Sequence, residues 1–113
     1  MHELALAESV MQIVESQASA AGAEKVLVVR LEIGALSHVE PSALAFCFDA
    51  VTARGIAAGA RLEIEQSPGR GWCHDCMTEV EVETLGAPCP KCGGYMLQVS
   101  GGQELRVKDM EVE

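Results

Sequence analysis

The chain has 113 residues, 17 acidic against 8 basic side chains, and a formal net charge of −9. At 49% hydrophobic it is globular rather than disordered, and its length suits one small domain or a compact domain with a satellite. The acid excess argues against nucleic acid and against anionic membranes, both of which need clustered cations.

No stretch approaches the ~20 apolar residues of a membrane span. Met1-His2-Glu3-Leu4 lacks the basic start of a secretion signal. The expectation is a cytoplasmic protein with no membrane partner. In a reducing compartment, 5 cysteines suggest metal ligation before disulfides.

Residues 4–20 read as a helix. Glu8, Gln12, Glu15 and Ser19 form a polar stripe, and Leu4, Ala7, Met11 and Val14, flanked by Leu6, Val10 and Ile13, form a broad apolar face. Gly22 is placed for a left-handed cap. Residues 25–33 alternate as a strand, with Leu27, Val29, Leu31 and Ile33 on one face. The other face is apolar at Val26 and Val28 and wet at Arg30 and Glu32. After a loop over 34–40, Pro41 opens a second helix, whose stripe is Leu44, Cys47, Phe48 and Val51. On that stripe Cys47 reads as a small buried hydrophobe. Residues 60–66 alternate through Leu62 and Ile64, and 104–112 through Leu105 and Val107, with a slip of phase before Met110. Between these last two strands lies a segment punctuated by Gly, Pro and Cys, with one alternating run at Val80 and Val82. The pattern predicts an α+β fold: two helices packed on a three-stranded sheet, with an inserted four-cysteine ribbon. The boundaries are 1–70 plus 102–113 for the body and 71–101 for the insertion.

Cys73-His74-Asp75-Cys76 and Cys89-Pro90-Lys91-Cys92 are two C-x-x-C pairs, separated by the spacer Met77 to Pro88. Two intervening residues let a tight turn aim both sulfurs at one point, and its backbone N–H groups can bond those sulfurs. Pro90 and Gly93-Gly94 suit such a turn. The spacer has room for a short hairpin that would bring the pairs face to face. Four thiolates have the composition of a closed, structural zinc site with no open position for water. A rubredoxin-type iron centre and a pair of disulfides are the alternatives. The module holds too little core to fold without its ion.

At the other end, the α-amine, the His2 amide and His2 Nδ1 can close two chelate rings around an ion, with Glu3 as a further ligand. Such nitrogen-rich sites favour nickel(II) or copper(II) over zinc. The competing reading is a frayed terminus.

These features together resemble the HypA/HybF family of nickel metallochaperones for hydrogenase maturation. The resemblance rests on Met1-His2-Glu3-Leu4-Ala5, Gly34-Ala35-Leu36-Ser37 leading to Pro41 and Leu44, and Gly59-Ala60-Arg61-Leu62. It also rests on Cys73 and Cys76, Cys89-Pro90-Lys91-Cys92-Gly93-Gly94, and Gly102-Gln103-Glu104-Leu105-Arg106-Val107. It implies Ni(II) carried at Met1, His2 and Glu3, with His2 indispensable, and structural Zn(II) at Cys73, Cys76, Cys89 and Cys92. The implied partners are the nickel-handling GTPase of the pathway and the hydrogenase large-subunit precursor, with urease as a further recipient for some members. The chain itself would be a monomer or weak homodimer. His74 reads as an exposed knuckle residue and His38 as surface. No acid–base or nucleophile–base spacing stands out, so no catalytic residue is expected. The alternative function is a zinc-ribbon interaction module without nickel transfer.

Overall fold

The computed structural model describes residues 2–113. The elements run α1 (His2–Ala20), β1 (Val26–Gly34), α2 (Pro41–Thr52), β2 (Arg61–Ser67), β3 (Gly69–Cys73), β4 (Thr78–Val82), β5 (Leu97–Gly101) and β6 (Leu105–Val112). They form two three-stranded sheets, ordered β2-β1-β6 and β4-β3-β5. The first sheet and the two helices are those the periodicity predicts, and the cysteine segment adds a sheet of its own. No described helix is long and apolar enough to cross a membrane.

The chain divides into two compact units. One comprises Met1–Glu32, Val39–Glu65 and Arg106–Glu113; the other comprises Ile33–His38 and Gln66–Leu105. The second unit therefore takes in short flanking pieces beyond the cysteine segment.

In the first unit α1 packs on α2. Ala7, Val10, Val14 and Ala18 are buried along α1 at steps of three, four and four. This stripe is narrower than the expected face, for Leu4 and Ile13 lie exposed on its flanks. The helix ends as predicted: Gly22 adopts φ 71°, and the N–H of Ala23 donates to the Ala18 carbonyl at 2.9 Å. α2 opens at Pro41, with the Glu40 carboxylate accepting from the Ser42 N–H at 3.2 Å and its hydroxyl at 2.7 Å. Those two donors hold the Glu40 carboxyl below its ordinary pKa. Leu44 and Phe48 are buried on α2, whereas Cys47 is only half-buried, so the expectation of a buried thiol there is corrected.

Across β2-β1-β6, Arg30 on β1 bonds Glu63 on β2 at 3.0 Å and Asp109 on β6 at 2.9 Å, and also pairs with Glu111. The three carboxylates push the guanidinium pKa upward, Asp109 most strongly. Arg106 pairs with Glu32, and Lys108 with Glu65 at 2.8 Å. This is the wet part of the β1 face read from the alternation. On β6, Leu105, Val107 and Met110 are half-buried while Lys108 and Asp109 are both exposed, which is the expected slip of phase.

In the second unit β3 pairs antiparallel with β4 and with β5. Gly69, Gly71 and Cys73 point inward. The core they join is small: Leu36, Cys73, Val80, Val82 and Cys89, with Cys76, Leu97 and Val99 against it. The spacer between the cysteine pairs contributes one strand, β4, so the expected hairpin within the spacer is absent. The hairpin is instead β3–β4, and its turn carries the first cysteine pair. Backbone approaches backbone where Gly34, Gly69 and Gly102 meet. A Cβ on Gly34 would overlap the Gly102 carbonyl, and one on Gly102, at φ +98°, would stand 2.5 Å from the Gly69 Cα.

Candidate metal centre

The two cysteine pairs sit on equivalent turns. In the first, the Met77 N–H donates to the Cys73 carbonyl at 2.8 Å; in the second, the Gly93 N–H donates to the Cys89 carbonyl at 2.8 Å. Each turn closes with a left-handed residue, Met77 at φ 54° and Gly93 at φ 74°. Inside each turn a backbone N–H points at the first sulfur: Cys76 N to Cys73 Sγ and Lys91 N to Cys89 Sγ, both at 3.4 Å. Two further bonds tie the turns to the β5 side, His74 N to the Met96 carbonyl at 2.9 Å and Cys89 N to the Gly94 carbonyl at 2.8 Å.

All four sulfurs lie within 4.8 Å of one another. Cys73 Sγ is 3.7 Å from Cys92 Sγ, and Cys76 Sγ is 4.0 Å from Cys89 Sγ. Zinc–sulfur bonds of about 2.3 Å in a tetrahedron put neighbouring sulfurs about 3.8 Å apart, so the cage has the right size for such an ion. Four converging soft donors, with no carboxylate or imidazole among them, also suit a closed sulfur site. Cys73 and Cys89 are buried, Cys76 is half-buried and Cys92 is exposed. Crowding by Cys92, with burial behind it, pushes the Cys76 thiol up to about 12. N–H groups from Cys92 and Lys91 lower Cys89 to about 7 against the opposing cost of burial. A divalent ion would relieve the crowding by replacing thiol protons.

His74 is exposed on the first turn, as expected, and is not among the clustered donors. His38 is exposed too, with φ 59°. Sequence reading overlooked Asp75: a Cβ on Gly94 would lie 3.0 Å from its carboxylate and 3.4 Å from Cys92 Sγ. Nothing in the spacing marks that proximity.

At the amino terminus, the expected nickel ligand Met1 lies outside the described residues. His2 and Glu3 belong to the first turn of α1. His2 Nδ1 stands 3.4 Å from Glu3 Oε2, with the His2 side chain 54% exposed and that of Glu3 14%. An accessible imidazole thus lies beside a mostly covered carboxylate.

A family model described as hydrogenase/urease nickel incorporation, metallochaperone, hypA, matches residues 1–112. The chain belongs to the HypA family. Hydrogenase maturation factor HypA 2 of Bradyrhizobium diazoefficiens is 57% identical over 113 residues, covering 100% of both chains. Hydrogenase maturation factors HypA of Albidiferax ferrireducens and Rhodopseudomonas palustris strain TIE-1 are 54% and 51% identical over the same full lengths. The solution structure of the Ni metallochaperone HypA from Helicobacter pylori superimposes with a TM-score of 0.71 at 24% identity, covering 99% of this chain and 97% of that one. A second HypA solution structure matches with a TM-score of 0.74, covering 100% and 97%. At that identity the two structures speak for the HypA fold alone.

Proposed function

We propose that this HypA-family chain carries nickel(II) as cargo at its amino terminus, through Met1, His2 and Glu3, and keeps zinc(II) as a structural ion at Cys73, Cys76, Cys89 and Cys92. The observation that carries the proposal is that one chain holds two unlike donor sets. One is a closed cage of four sulfurs; the other is an accessible imidazole beside a carboxylate at the start of α1. Soft thiolates select zinc, and a nitrogen-rich set selects nickel. The first compact unit would carry the nickel set and the second the zinc ribbon. Zinc, when bound, supplies four bonds that tie the two turns into one fold, and no position is left for a reacting molecule.

The amino-terminal set suits a carrier because it must both take and release its ion. His2 and Glu3 stand in the first turn of α1 with the His2 imidazole exposed, so few covalent constraints resist the ion's departure. The ligands must also shed protons to bind, so nickel affinity falls as pH drops. Delivery is to hydrogenase maturation, with urease as a second recipient; the partners are the nickel-handling GTPase and the large-subunit precursor. The protein works in the cytoplasm, as a monomer or weak homodimer, and catalyses no reaction itself.

Native mass spectrometry of untagged protein with both metals present tests this reading. One zinc and one nickel per chain are expected, and His2→Ala should lose the nickel while keeping the zinc. Full nickel uptake by His2→Ala would overturn the assignment.

A further inference from the structure

The solvent-facing side of the β4-β3-β5 sheet has an aromatic centre and a carboxylate edge. Alternation sends Arg70 and Trp72 outward, away from the buried Gly69, Gly71 and Cys73. Register sets Trp72 between Glu79 of β4 and Gln98 of β5, and sets Arg70 opposite Glu81. Trp72 is the sole tryptophan of the chain and is 37% exposed. Arg70 passes over its direct neighbour and pairs diagonally with Glu79 at 3.0 Å. Glu81 is left without an ion pair among the described residues. Glu81 and Glu83 then line a cleft of about 460 Å³ with Thr84, Ala87, Pro88 and Pro90.

We propose that this face docks an extended basic segment of a partner protein. One Lys or Arg cation lies on the Trp72 ring beside Glu79 and Glu81, and a second enters the cleft between Glu81 and Glu83. Tryptophan is the best side chain for holding a cation on its ring face. Glu79 and Glu81 alternate along β4, about 7 Å apart, which is also the spacing of alternate residues in an extended peptide, and Glu83 follows in the bend just past the strand's end. β4 is an outer strand of its sheet, so a segment has an edge to run along. The charge balance selects the occupant. Residues 66–105 carry Asp75, Glu79, Glu81, Glu83 and Glu104 against Arg70 and Lys91. A nucleic acid would bring phosphates to these carboxylates, and a second copy of the chain would bring its own. The proposal does not depend on nickel at the amino terminus.

Trp72 reports directly on its own surface. Zinc-loaded, full-length protein is titrated in moderate salt with a capped eight-residue peptide of alternating Arg and Ser, and tryptophan fluorescence is followed. A saturable change is expected. Binding should weaken about fivefold or more in the Glu81→Gln/Glu83→Gln variant, and similarly for a peptide with its four arginines in one block. A Glu8→Gln/Glu24→Gln variant, altered at exposed positions of the first unit, should bind as the parent does. Trp72→Leu, followed by calorimetry, should also weaken binding about fivefold while zinc content is retained; Trp72→Phe replaces it if zinc is lost. Equal binding by the Glu81→Gln/Glu83→Gln variant, or equal weakening in the Glu8→Gln/Glu24→Gln variant, would overturn the proposal. So would a fluorescence response of the same size to a single-stranded oligonucleotide or to protein concentration alone.

Discussion

Replacing Gly102 by alanine tests how the second unit is held together. Two costs add at this position. Its φ of +98° lies where an L side chain is strained, and a Cβ there would stand 2.5 Å from the Gly69 Cα and 2.9 Å from the Pro68 carbonyl oxygen. The first cost is about 1–2 kcal/mol. The second is an overpacking cost of about 1–3 kcal/mol or more, at its high end because backbone atoms cannot rotate away. Gly102→Ala should therefore destabilise the unit by about 3–4 kcal/mol. Gly86 separates the two costs: it has φ +81° but nothing within 4 Å of its would-be Cβ. Gly86→Ala should lose only about 1–2 kcal/mol. Urea unfolding of zinc-loaded protein, followed by Trp72 fluorescence, measures both variants against the parent. If Gly102→Ala unfolds no more easily than Gly86→Ala, the close backbone crossing of Gly34, Gly69 and Gly102 is not what holds these segments.

Other outcomes follow from the metal centre and the first sheet. Chelating zinc should abolish hydrogen-exchange protection over residues 72–95 and spare α1 and β1; protection that persists in the module would contradict a metal-dependent fold. Zinc affinity should still climb between pH 8 and 9. The crowded Cys76 thiol keeps its proton until about 12, so binding must displace that proton, whereas Cys89 near 7 is already ionised. Competition with a chromophoric chelator checks this, and a flat profile would refute it. Arg30→Ala should lower the thermal midpoint and make it rise with added salt, because Glu63, Asp109 and Glu111 are left facing one another. A midpoint indifferent to salt would argue against that repulsion.

Periodicity made the first unit legible, because its helices and strands carry aliphatic side chains at regular steps. The C-x-x-C spacing likewise marked the sulfur cage before any geometry was known. β3 was missed for a physical reason. Ser67-Pro68-Gly69-Arg70-Gly71 looks like a turn, yet Gly69 and Gly71 alternate inward as valines would elsewhere. A Cβ on Gly71 would press on Val82 Cγ2 at 3.0 Å, so the inward position is tight for any side chain, and the glycine there carries no hydrophobic signal. β5 does alternate through Leu97 and Val99, but it follows the second cysteine turn so closely that it reads as its tail. Cys47 sits at helical spacing with Leu44 and Phe48, and periodicity alone does not say how far round the helix the packing extends.

Because α1 starts at His2, its opening amides have no carbonyl within the helix to which they can donate. A hydrogen surrendered there breaks no rung of the ladder. A cation taken up or given away through those nitrogens would leave the rest of the cylinder wound, so each transfer would be confined to the tip and need no refolding behind it.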